Sequence, residues 1–139
     1  FSLFEYVVLD CPPSLANLDE ATYRLSNHVI VPVKMAYLDS DGARLNLDDV
    51  TAMQKAGYEM KIAAVVPTMF RPREMVARFQ LEQFREIYGP RAVADPIPQS
   101  AVVEQAQASG QRTLFEFDPE MRHPVTQAMD RLAQRMRQL

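Results

Sequence analysis

The chain has 139 residues, 47% hydrophobic and 24% charged, the size of one ordinary domain and the composition of a globular one, which excludes disorder, fibrous repeats and two separate cores. Its net charge of -3 is uneven: residues 1 to 70 carry 5 basic and 9 acidic side chains, residues 71 to 139 carry 10 and 9, so neither half binds polyanions by charge alone. The single Cys11 excludes an internal disulfide or multi-thiolate metal site, and no apolar run approaches the roughly 18 residues of a membrane span; a reducing cytoplasm is the expected location.

Tyr6-Val7-Val8-Leu9 is a continuous apolar run ending at Asp10 and the turn former Pro12-Pro13, which predicts a strand buried on both faces. Ser14 is a cap candidate for a helix carrying Leu15, Leu18, Thr22 and Leu25, stopped by Asn27. Val29 to Val33 is the second strand, with Pro32 predicting that ladder bonds fail near its end. Asp39-Ser40-Asp41 offer caps for a helix through Ala43, Leu47 and Val50 to Gly57, a natural terminator. The third run, Ile62 to Val66, ends in Pro67.

After Pro72, Ala77, Leu81, Phe84 and Tyr88 share one helical face that stops at Gly89-Pro90. A short strand at Val93 and the Ile97-Pro98 turn lead to a weaker helix from Ser100 to Ser109, closed by Gly110. Val125, Met129, Leu132, Met136 and Leu139 form an apolar stripe on a terminal helix. Buried strands alternating with amphipathic helices predict an α/β, doubly wound, mostly parallel sheet.

Ligands of such sheets sit beyond the C-terminal strand ends, so Asp10, Pro32-Val33-Lys34 and Pro67-Thr68-Met69 should converge on one rim. An acid closing an apolar strand suits a magnesium ion or its water shell, and suits equally a bond to the following turn. Cys11 has only His28 and His123 as possible bases, both away from that rim, and reads as a small buried filler. Met129 and Met136 on a leucine stripe read as core.

Residues Tyr6-Val-Val-Leu-Asp-Cys-Pro-Pro-Ser-Leu15 resemble the Walker B and switch II segment of the ParA/MinD family of deviant-Walker ATPases, above all its partition (ParA/Soj-like) branch. Val29 to Val33 with Ala36-Tyr37-Leu38, Val65-Val-Pro-Thr-Met69, Asp95-Pro-Ile-Pro98 and Phe115-Glu-Phe-Asp-Pro119 resemble, in order, later segments of that branch. The resemblance implies a P-loop NTPase-like fold, ATP and Mg in the intact protein, Asp10 serving magnesium through water, and Thr68, Met69 and Pro98 bordering adenine. It also implies a homodimer, non-specific DNA, a ParB-like partner, and slow ATP hydrolysis in a nucleoid-associated cytoplasmic protein.

A P-loop needs a Gly-rich turn ending in Gly-Lys-Ser/Thr. The only lysines, Lys34, Lys55 and Lys61, are not preceded by Gly. That loop precedes the Walker B strand in the family, so residues 1–139 read as the C-terminal part of a ParA-type domain, a fragment opening at Phe1 that binds no nucleotide alone. Partition ATPases usually carry arginines just after the Ile-Pro turn and three residues later; Gln99 and Val102 stand there, which thins the DNA footprint. Arg71, Arg73, Arg78 and Arg85 interleave with Glu74, Glu82 and Glu86, the pattern of a solvated, salt-bridged helix face. Rival readings are a non-catalytic interaction module on an NTPase scaffold and a MinD-like membrane regulator using the terminal helix, although its narrow stripe and Asp130 favour docking on the sheet and no membrane is expected.

Overall fold

The computed structural model of the chain describes residues 3–11, 16–35, 50–110 and 112–139, with backbone alone over 16–20. In chain order these form α1 (Ala16–Leu25), β1 (His28–Lys34), helical residues 50–55 (α2), β2 (Lys61–Thr68), α3 (Met75–Tyr88), α4 (Ala101–Ala108), α5 (Leu114–Phe117) and α6 (Pro124–Met136). The predicted caps at Ser14 and Asp39 to Asp41, and the loop Ala36-Tyr37-Leu38, lie outside the described residues.

β1 and β2 pair in parallel, from His28 against Lys61 to Lys34 against Thr68. Two isolated parallel bridges, Val65 with Val93 and Phe70 with Pro98, run along the far side of β2. β2 is therefore the strand with neighbours on both edges. Pro32 does not end the ladder as predicted; it pairs with Val66 and the strand continues to Lys34. The reason is that β1 has one partner among the described residues, and a strand with a single neighbour uses only half of its N–H groups.

The register slips between Val29 and Ile30, whose partners are Ile62 and Ala64. Ala63 is thus an extra residue on β2, and a bulge resets which face each later side chain points to. On one face Ile62 and Val65 join Val31, Val33, Met35, Phe70, Val93 and the α3 residues Ala77, Leu81 and Phe84. On the other, Ala64 and Val66 join Ala94, Ile97, Val125 and Ala128, with Met129, Leu132 and Met136 packed around them. Helices on both faces of a parallel strand make the α/β sandwich that the alternating pattern predicts. β1 is covered on one face only: Val31 and Val33 are buried, while Ile30, on the opposite face, stays 42% exposed.

The predicted strand Tyr6 to Leu9 is not one. These residues are irregular and exposed, Val8 to 88% and Leu9 to 45%. A strand exists by virtue of its ladder, and no described strand lies beside this segment to complete one.

Helix ends follow local chemistry. Gly57, with φ 94°, closes α2 in a Schellman motif: Tyr58 N donates to Met53 O at 3.2 Å and Gly57 N to Gln54 O at 3.1 Å. Gly89, with φ 82°, ends α3 as its sequence position predicts. Ser100 caps α4 by accepting from Val102 N, and Thr113 with Glu116 forms a capping box on the short α5.

α6 is held by more than its stripe. Val125, Thr126 and Ala128 are its most buried residues, small enough for close approach to the sheet, whereas Leu139 lies beyond the helix and is 57% exposed. Near its C-terminus Arg135 Nη2 donates to the carbonyl of the bulged Ala63 at 3.0 Å and to the Arg91 carbonyl. One guanidinium thereby satisfies carbonyls at the bulge and at the turn before Val93.

Ahead of α6, the buried Asp118 carboxylate accepts from Arg122 N and His123 N, both at 3.0 Å. Burial pushes its pKa up, but the Thr126 hydroxyl, the two main-chain N–H groups and the nearby His123 outweigh that and leave it below the ordinary value. A carboxyl more acidic folded than unfolded stabilises the fold above the unfolded value, near pH 4, and ceases to do so as pH falls through the lower folded value. Thermal melts against pH should show an acid-side fall in the wild type that Asp118→Asn flattens, starting from a lower midpoint at neutral pH. Parallel curves for the two proteins would contradict this.

Candidate functional site

The C-terminal ends of the parallel strands form one rim, built by the backbone bonds that leave β2. Met35 N donates to Thr68 O at 3.0 Å, which ties the exit of β1 to that of β2. Ile97 N donates to Pro67 O at 2.8 Å, Phe70 N to Ile97 O at 3.0 Å, and Gln99 N to Phe70 O at 3.0 Å. These bonds interlace residues 67–70 with 97–99, and Phe70, 8% exposed, pins the stretch into the core. Thr68, Met69 and Pro98 are thus brought together; the strand-end argument places Thr68 and Met69 here, and Pro98 comes from the family resemblance. Thr68 and Pro98 are half-buried, and Met69 is 53% exposed.

Met69 adopts φ 52°, the left-handed region that costs a residue with a Cβ about 1–2 kcal/mol. The conformation turns the chain between the Thr68 carbonyl and the Phe70 bridge and leaves the Met69 side chain outside. Such strain persists where surrounding bonds over-determine it, and the bonds at Pro67, Thr68 and Phe70 do so here.

Asp10 does not join this rim through any bond among the described residues; it lies in the exposed segment before α1. No group of three His, Cys, Asp or Glu side chains among the described residues forms a metal-binding set. Cys11 is exposed rather than a buried filler.

Two features of the rim escape the sequence reading. Arg71 Nε donates to the side-chain oxygen of Gln99, and Arg71 Nη1 donates to Glu74 Oε1 at 2.8 Å. The Arg71 and Glu74 pair follows from i,i+3 spacing; the link to Gln99 spans 28 residues and has no local signal. The second feature is on α3, where Met75, Val76, Phe79 and Ile87 are exposed beside the charged row, Met75 to 76%, so that this face is more apolar than its interleaved charges suggest.

A cleft of about 360 Å³ elsewhere is lined by Pro90, Val93, Asp95, Arg131, Leu132 and Arg135 among others. It includes none of Thr68, Met69 or Pro98. Three of its charges are already engaged, Arg131 and Asp95 with each other at 2.9 Å and Arg135 with main-chain carbonyls.

The family described as an AAA domain matches residues 2–63. An uncharacterized protein of Methanocaldococcus jannaschii is 25% identical over 133 residues, covering 94% of this chain and 50% of that protein. The sporulation initiation inhibitor protein Soj of Bacillus subtilis is 26% identical over 120 residues, covering 86% of this chain and 47% of its own. The chromosome-partitioning ATPase Soj of Treponema pallidum is 25% identical over 108 residues, covering 77% and 43%. The chain spans about half the length of the curated relatives it matches. Parallel strands sandwiched by helices, with that domain match, make the fold part of a P-loop NTPase-like α/β fold. Within that class the chain is similar to the Soj and ParA chromosome-partitioning proteins.

If the rim geometry is over-determined, relieving Met69 costs nothing in stability. Met69→Gly should leave the unfolding free energy from urea titration unchanged or raise it, by up to about 1 kcal/mol. A clear loss of stability would mean that the exposed side chain holds the turn.

Proposed function

We propose that residues 1–139 are the C-terminal part of a ParA-type partition ATPase domain, and that the intact protein binds Mg-ATP, dimerises, engages DNA and a ParB-like partner, and hydrolyses ATP slowly. The observation that carries the reading is the rim at Thr68, Met69 and Pro98, tied by the Phe70 bridge at the C-terminal strand ends where doubly wound sheets take their ligands. Support also comes from the relatives named chromosome-partitioning ATPases.

The residues present fit one side of a nucleotide. Half-buried Thr68 and Pro98 with the exposed Met69 offer a partly apolar edge suited to a base. Asp10 is a carboxylate of the kind that holds magnesium through water, in this proposal on the γ-phosphate side. Bound Mg-ATP would supply the phosphoryl chemistry, in which a protein contributes position and charge. The chain's own part is to border the base and offer the Asp10 oxygens; the sequence contains no Gly-Lys-Ser/Thr loop to cradle phosphates.

No helix among the described residues is long and apolar enough to cross a membrane. α6 spends Val125, Thr126 and Ala128 on the sheet, which favours the partition reading over a membrane-surface role for that helix.

The chain alone should therefore not turn over ATP. In chromatographically clean protein, magnesium-dependent phosphate release should equal that of Asp10→Ala, with nucleotide binding millimolar or absent. Release above that control would defeat the division of labour proposed here.

A further inference from the structure

α3 buries Ala77, Leu81 and Phe84 against the sheet and carries a second apolar row on its outside. Phe79 is 57% and Ile87 71% exposed, with Val76 beside them. At about 100° per residue, Val76, Phe79, Gln83 and Ile87 fall within about 80° of arc that includes no charge. Arg78, Glu82, Arg85 and Glu86 line one flank of that row. Their spacing allows i,i+3 and i,i+4 pairs, yet none of the four forms an ion pair among the described residues. An exposed apolar row with an unpaired charged flank has the make-up of an interface and its rim.

The order of those charges identifies the occupant. Two copies of α3 laid antiparallel about a two-fold axis near residue 82 set Val76 of each opposite Ile87 of the other, and Phe79 beside Gln83. The same axis brings Arg78 against Glu86 at both ends, so the charged flank is complementary to itself. In a parallel two-fold pair the two flanks lie on opposite sides and cannot meet. Glu82 comes close to its own copy at the axis, one like-charge contact set between Arg78 and Arg85.

We propose that the outer face of α3 is a contact surface for a second copy of this chain, joined antiparallel through Val76, Phe79 and Ile87 with reciprocal pairs of Arg78 and Glu86. The contact needs no nucleotide and lies outside the strand-end rim, so it is separate from the dimer proposed above. The 14 residues of α3 span about 21 Å, and a helix pair of that length buries less than a standard interface. The association is therefore weak and concentration-dependent.

Sedimentation velocity of the full 139-residue chain over a concentration series, without nucleotide, tests this. The wild type should pass from monomer to dimer as concentration rises. Phe79→Lys should weaken the dimer by about tenfold or more while the far-UV spectrum and thermal midpoint stay as they are, because the side chain is exposed. Arg78→Glu and Glu86→Arg should each weaken it several-fold, and the double reversal should restore it, since both ends regain opposite charges. Glu82→Gln should tighten it.

A chain that stays monomeric up to millimolar concentration overturns the proposal. So does a dimer that Phe79→Lys leaves intact, which places the contact elsewhere, such as the open edge of β1, and so does a dimer formed only with Mg-ATP, which places it at the rim. A double reversal no better than either single one also overturns it, because a dissimilar surface would then be the partner of this flank.

Discussion

The structure depends on β2 having partners on every side. Its backbone bonds β1 on one edge and the Val93 and Pro98 bridges on the other, and its side chains face α3 on one side and α6 on the other. Ala64, Val65 and Val66 are between 0 and 2% exposed, the burial of a central strand. The rim hangs from the end of this strand, so Thr68, Met69 and Phe70 inherit positions that no local interaction has to create. The Arg71 and Gln99 contact is a further consequence, since both residues emerge from the last bridge that β2 makes.

Away from β2 the order of the molecule thins. β1 buries one face and leaves Ile30 partly open, and Tyr6 to Leu9 expose apolar side chains with no ladder to join. Unpaired apolar edges of this kind recruit further strands. The charged side chains near β2 serve its geometry: Arg135 reaches the carbonyl of the bulged Ala63, and Asp118 organises the entry to α6, whose Val125 and Ala128 cover Ala64 and Val66.

Periodicity made α3 and α6 legible, because Ala77, Leu81 and Phe84 or Val125, Met129 and Leu132 repeat at helical spacing whatever they pack against. The bulge at Ala63 was not legible: Ile62 to Val66 is apolar at every position, so a slip of one residue leaves no mark on the pattern. Tyr6 to Leu9 carried the composition of a strand, but pairing is a property of the neighbour and not of the segment. At the site, Thr68 and Met69 could be placed from the strand end, and Pro98 from the family resemblance. The left-handed Met69 and the bond from Arg71 to Gln99 depend on how distant segments meet, and single-sequence patterns do not encode that.

Native-state hydrogen exchange measures the central claim most directly, because it ranks amides by the opening needed to expose them. The amides of Val65, Phe70 and Ile97, which donate across the β2 ladder and its bridges, should exchange only on global unfolding, while those of Tyr6 to Leu9 exchange nearly as in a free peptide. Exchange of the Phe70 and Ile97 amides well before that of Val65 would contradict the account, because the rim would then open independently of the strand said to hold it.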